Sequence, residues 1–93
     1  IKILSTVGRK VFLPEGLVWI TDMLKKYPEQ INHVNTVACE RLIKSLYYNH
    51  ITEIKNRQAL ITNFIWLLDK MIDLGNSSAY LFRENVISYK KYN

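Results

Sequence analysis

The sequence predicts an all-α protein of two stacked helix–turn–helix units, with an ordinary four-helix bundle as the alternative arrangement. Three observations carry that prediction. Apolar residues recur at helical spacing in four segments bounded by proline, glycine and asparagine. The stretch LVWITDML, residues 17–24, returns as FIWLLDKM, residues 64–71, each with a Trp three residues before an Asp. ERLIKSLYYN, residues 40–49, aligns with ENVISYKKYN, residues 84–93, at an offset of 44.

The first helix is expected over residues 14–27. Pro14 suits the first turn, where a missing N–H costs nothing, and Glu15 beside it complements the helix dipole. Leu17, Ile20, Leu24 and Tyr27 form its apolar stripe, and Pro28 stops it. The second helix is expected over residues 31–49. Its main stripe is Ile31, Ala38, Leu42 and Leu46, flanked by Cys39 and Ile43, with a weaker stripe of Val34, Val37 and Tyr48 behind. Thr52 is a candidate cap for the third helix, which runs to Leu74 and ends at Gly75. Asn76, Ser77 and Ser78 offer caps for a fourth, over residues 78–92.

The third helix is the most apolar. Leu60, Ile61, Phe64, Ile65, Leu67, Leu68, Met71, Ile72 and Leu74 cover about half its circumference, whereas a one-sided helix needs a stripe only somewhat over ~100° wide. It is expected at the centre, packed on two sides, with each large aliphatic worth roughly 1.5–3 kcal/mol of burial. Residues 1–13 read as the tail of a preceding element and a loop, or else as a short hairpin.

The units span residues 14–50 and 51–93, and the drop in offset from 47 to 44 falls where KYPEQINH gives way to LGNSS. On this period and helix-pair pattern the chain resembles HEAT- and armadillo-like α-helical repeats. The tetratricopeptide and ankyrin signatures are missing. The resemblance implies a solenoid-like scaffold that presents a binding surface. Such repeats need about three or more units for stability, so together with a first residue that is Ile1 rather than Met, the segment reads as part of a larger helical-repeat protein.

Composition narrows the function classes. Hydrophobic residues make up 48 %, too many for a disordered linker. The single cysteine, Cys39, forms no internal disulfide, so the expected setting is intracellular, cytoplasmic or nuclear. The longest unbroken apolar run, residues 64–68, is far shorter than the ~20 residues that span a bilayer, so no membrane partner is expected. The net charge is +5, yet residues 14–82 carry seven basic and seven acidic side chains, which leaves the excess at the two ends.

Chemistry-bearing motifs are sparse, and no cofactor or metal is expected. His33, Cys39 and His50 meet no zinc spacing. Gly8-Arg9-Lys10 lacks the rest of a phosphate loop, and no nucleophile elbow is present. Asn76-Ser77-Ser78 matches a glycosylation sequon but reads better as turn and cap residues. Asp22 and Asp69 read as solvated helix positions, because acid–base catalysis needs a cleft that nothing in the sequence implies. The chain is therefore expected to be no enzyme.

Trp66 stands out because it falls in the middle of the polar arc of its helix, with Trp19 at the corresponding place in the first unit. Exposed Trp residues are enriched among interface hot spots. The expected function is a protein–protein interaction scaffold with Trp66 and Trp19 as anchors and Lys55, Asp69, Lys70 and Asp73 at the rim. The alternative is nucleic-acid binding through the basic ends, Arg9 and Lys10 with Lys90 and Lys91. Tyr47, Tyr48, Tyr89 and Tyr92 near Lys44, Lys90 and Lys91 have the makeup of a stacking surface. The abundance of Tyr, Lys, Asn and Ile along the whole chain is the simpler account of them.

Overall fold

The computed structural model describes residues 13–92, and those residues are helical with no strand. Four helices follow in order: α1, Pro14–Lys26; α2, Thr36–His50; α3, Arg57–Asp73; and α4, Ala79–Tyr92. Short 3₁₀ turns, Pro28–Gln30 and Ile51–Glu53, lie after α1 and α2. The expectation for residues 1–12 lies outside the described residues.

Leu13 is extended, Pro14 opens α1, and Lys25 and Lys26 fall in the last turn, where the dipole favours cations. Leu17, Ile20 and Leu24 are fully buried. Tyr27 is not part of that stripe: the helix has ended, and the ring lies outside the core beneath Lys26 Nζ, 5.4 Å from its centroid.

α2 starts five residues later than expected, because two asparagines occupy the backbone that would have opened it. Asn32 N–H donates to Asn35 Oδ1 (2.9 Å), and Asn35 N–H donates to Asn32 Oδ1 (3.0 Å). Asn side chains compete with helical hydrogen bonds in this way. The later start also changes the buried face. Cys39, Ile43, Leu46 and Tyr47 point inward, Leu42 is half-buried and Ala38 is exposed, so the expected centre of the stripe is rotated.

α3 likewise starts at Arg57 rather than at Thr52. Ile51 and Ile54 are buried, and Ile54 is extended, so the chain turns here to seat two branched side chains. Asn56, not Thr52, holds the capping position, without a side-chain bond. At the other end Gly75 has φ +97°, the left-handed region that favours glycine. Its N–H donates to Ile72 O (2.9 Å) and Asn76 N–H donates to Met71 O (3.0 Å), the bond pair of a Schellman stop.

α3 is the central helix, packed chiefly on α4 and also on α1. Phe64, Leu67, Leu68 and Met71 are fully buried, with Ile65, Ile72 and Leu74 partly buried around them. Tyr47 stands edge-on to Phe64 (5.5 Å between centroids), Phe82 (5.4 Å) and Tyr89 (6.0 Å), which ties α2, α3 and α4 together.

A polar lock joins the hairpins. Glu40 on α2 has a side chain only 2 % exposed. Its carboxylate accepts from Asn76 Nδ2 (2.9 Å) and Ser78 Oγ (2.6 Å) in the α3–α4 turn and pairs with Lys44 Nζ (3.1 Å). Asn76 Nδ2 also reaches Thr36 O (3.3 Å). Burial pushes the carboxyl up, but the hydrogen bonds from Ser78, Asn76 and Lys44 and the Lys44 charge more than offset it and hold it below the ordinary value. Asn76 and Ser78 therefore bind the preceding hairpin rather than cap α4. Asn76 is buried, so the sequon at 76–78 offers no accessible amide.

The contacts Glu40–Ser78, Lys44–Phe82 and Tyr48–Asn85 advance together, so α2 and α4 run parallel. Asp69–Arg83 and Thr62–Lys90 run in opposite senses, so α3 and α4 are antiparallel.

Candidate functional site

An open groove of about 360 Å³ lies between the α1–α2 turn and the C-terminal half of α3. Pro28, Trp66 and Leu74 supply its apolar lining, and Asp69, Lys70 and Asp73 its polar lining. α3 positions four of the six at helical spacing, Leu74 follows as its C-cap, and Pro28 comes from the turn inside the first hairpin. Trp66 is 41 % exposed. Lys25 reaches across from α1, with Nζ 5.1 Å from the centroid of the indole and 3.1 Å from Asn63 Oδ1. That cation–π contact covers part of the ring and holds α1 to α3.

The charges around Trp66 are not equivalent. Arg83 Nε donates to Asp69 Oδ1 (2.6 Å) and lies 3.6 Å, through Nη1, from Glu84 Oε1, so Asp69 is committed to α4. Asp73 is exposed, and it and Lys70 have no ion pair among the described residues.

The structure thus brings together four of the expected interaction residues, Trp66, Asp69, Lys70 and Asp73. Trp19 is equally exposed, at 42 %, but does not line the groove. Lys55 is not at the rim either. The Trp66 face includes Lys55 only if α3 extends back to Thr52, whereas Lys55 lies in the turn before Arg57 and the groove begins at Trp66. Pro28 was not expected at the site, and its membership follows from how the hairpins pack, not from its neighbours in the sequence.

Of the alternative residues, Arg9 and Lys10 lie outside the described residues. Lys90 Nζ donates to Thr62 Oγ1 (2.9 Å), and Lys91 Nζ lies 5.5 Å from the centroid of Tyr92.

The soft ligands are scattered. Cys39 is fully buried, and burial pushes its thiol up to about 11, far from a nucleophilic thiolate at neutral pH. His50 Nδ1 lies 3.0 Å from Glu53 Oε2, and His33 is exposed in the α1–α2 connection. Among the described residues no three His, Cys, Asp or Glu side chains gather as metal ligands would, and no helix is long and apolar enough to cross a membrane. No known protein family, curated protein or solved structure matches the chain.

Proposed function

We propose that this chain is a non-catalytic helical-repeat module that docks a protein partner through the Trp66 groove. The observation that carries the reading is a large aromatic side chain, 41 % exposed, at an apolar depression formed with Pro28 and Leu74 on an otherwise polar helix face. Trp in such a setting supplies much buried area at low entropic cost, and a polar rim excludes water around it. The parallel stacking of α2 and α4 supports the repeat reading and membership of a larger helical array. Its carboxylates favour docking over chemistry, since Asp69 is neutralised by Arg83 at an open surface. An intracellular setting, cytoplasmic or nuclear, fits a lone buried thiol that takes part in no disulfide.

The test uses peptides selected against the folded chain from a random-sequence display library. They should shift the Trp66 indole resonance in NMR spectra, and Trp66→Ala should weaken them by roughly 30-fold or more, the effect of a hot-spot residue. Trp19→Ala should leave them within about twofold, as befits a residue outside the anchor. Binders that ignore Trp66→Ala would sink the reading.

A further inference from the structure

A second surface arises where the end of α4 meets the start of α3. Lys55 lies in the turn before α3, and Arg57 opens that helix and donates through Nη1 to Tyr89 Oη (3.0 Å). Lys90 is tied to Thr62 on the next turn of α3, and Lys91 follows it. Residues 35 positions apart in the chain thus form one basic end. Glu53 is the acid nearest to it in the chain, and His50 accompanies that carboxylate at 3.0 Å. The other six basic residues within 13–92 face seven acids, so this end holds all the excess positive charge of the described residues. Glu84, two turns back on α4, is engaged by Arg83.

Aromatic rings stand beside these cations. Tyr92 is 74 % exposed, with the Lys91 ammonium over its face, and the Tyr89 hydroxyl accepts from Arg57 Nη1. Cations at backbone distance from exposed rings are the combination that holds phosphates while bases stack.

We propose that Lys55, Arg57, Lys90 and Lys91 form a binding end for single-stranded nucleic acid, with the exposed Tyr92 ring stacking on a base. This surface is separate from the Trp66 groove, and either can fail without the other. The cations contact phosphates, and Lys90 and Arg57 keep donors beyond those given to Thr62 and Tyr89.

The probe is a fluorescently labelled oligothymidylate, titrated with the 93-residue chain at several salt concentrations. Binding should weaken steeply with salt, and each cation removed should make the log–log slope shallower by about 0.7. Lys55→Ala and Lys91→Ala suit this test, since both side chains are exposed and circular dichroism should report an unchanged fold. Tyr92→Ala should weaken binding by roughly five- to a hundredfold, the value of one stacked base. Lys26→Ala, a charge-matched change outside this end, should leave it alone. Absence of binding at low salt overturns the proposal. So does binding that Lys26→Ala weakens as much as Lys91→Ala. Equal binding to heparin or phosphatidylserine vesicles, indifferent to Tyr92→Ala, overturns it in favour of a generic polyanion surface.

Discussion

The first helices of the two hairpins match position by position, and the second helices do not match where their letters agree. From residues 17–26 to residues 64–73, at an offset of 47, every position has the same degree of burial, Trp19 and Trp66 included. At the offset of 44 that aligns Glu40 with Glu84, a fully buried carboxylate faces an exposed one, and buried Ile43 faces half-buried Ile87. Shifting by one residue restores agreement: Thr36 with Ala79, Cys39 with Phe82, and Ile43 with Val86 are all buried pairs. The helix ends agree, since Lys26 and Asp73 lie 47 apart while Thr36 and Ala79 lie 43 apart. The identities at 44 are therefore out of register by about 100°, one residue's rotation. Burial, which carries the free energy, is the better guide to equivalence than residue identity.

The largest expected effect tests the correspondence of α1 and α3. Leu24→Ala and Met71→Ala empty equivalent, fully buried positions, and each should cost about 2–5 kcal/mol in urea unfolding. If one costs several times the other, the hairpins contribute unequally and the match is only geometric.

Glu40 sharpens the contrast in the second helices. Glu40→Ala strips Asn76, Ser78 and Lys44 of their acceptor and should cost about 3 kcal/mol, as breaking a buried pair does. Glu84→Ala, its partner by identity, should stay within about 0.5 kcal/mol. The pH dependence has a definite sign. Because the Glu40 carboxyl is held below its ordinary value of 4.5 in the folded chain, its contribution is complete above that pH. It is lost as pH falls through the lower folded value, where the folded state must take up the proton. A Glu40→Gln variant should therefore lose less stability on acidification than the parent.

The α3 stop has no glycine counterpart after α1, where Tyr27 and Pro28 end the helix instead. Gly75→Ala should cost about 1 kcal/mol from the left-handed backbone alone, as no atom of the described residues lies within 4 Å of the added methyl. Equal stability of the two chains would mean that the turn relaxes.

The smallest effect concerns Tyr47, whose hydroxyl is buried without a partner among the described residues. Tyr47→Phe should be neutral or stabilise by up to about 1 kcal/mol at neutral pH. Burial, with the neighbouring Tyr89 and Tyr48, pushes that phenol from 10.0 up to about 12. Its contribution is complete below pH 10.0 and lost towards about 12 as the folded chain resists ionisation, so the variant should also unfold less readily in alkali.

Much of this is legible in the sequence. The apolar spacing of α1 and α3, Pro14 at the start of one and Gly75 after the other, and Trp66 on a polar arc are local signals. A helix of fixed pitch converts spacing directly into faces. The starts of α2 and α3 depart from that spacing because Asn32 and Asn35 bond to each other across the turn, and because Ile51 and Ile54 are drawn into the core. Lys55 was misplaced with them.

The helical class, the two hairpins and the inward face of their first helices all follow from a 3.6-residue apolar period along the chain. Packing between helices buries Glu40, sets Pro28 beside Trp66, and brings Arg57 to Tyr89 and Lys90 to Thr62. The burial and the meetings join residues tens of positions apart, and what stabilises them is the removal of surface from water when hairpins pack, which no local pattern encodes.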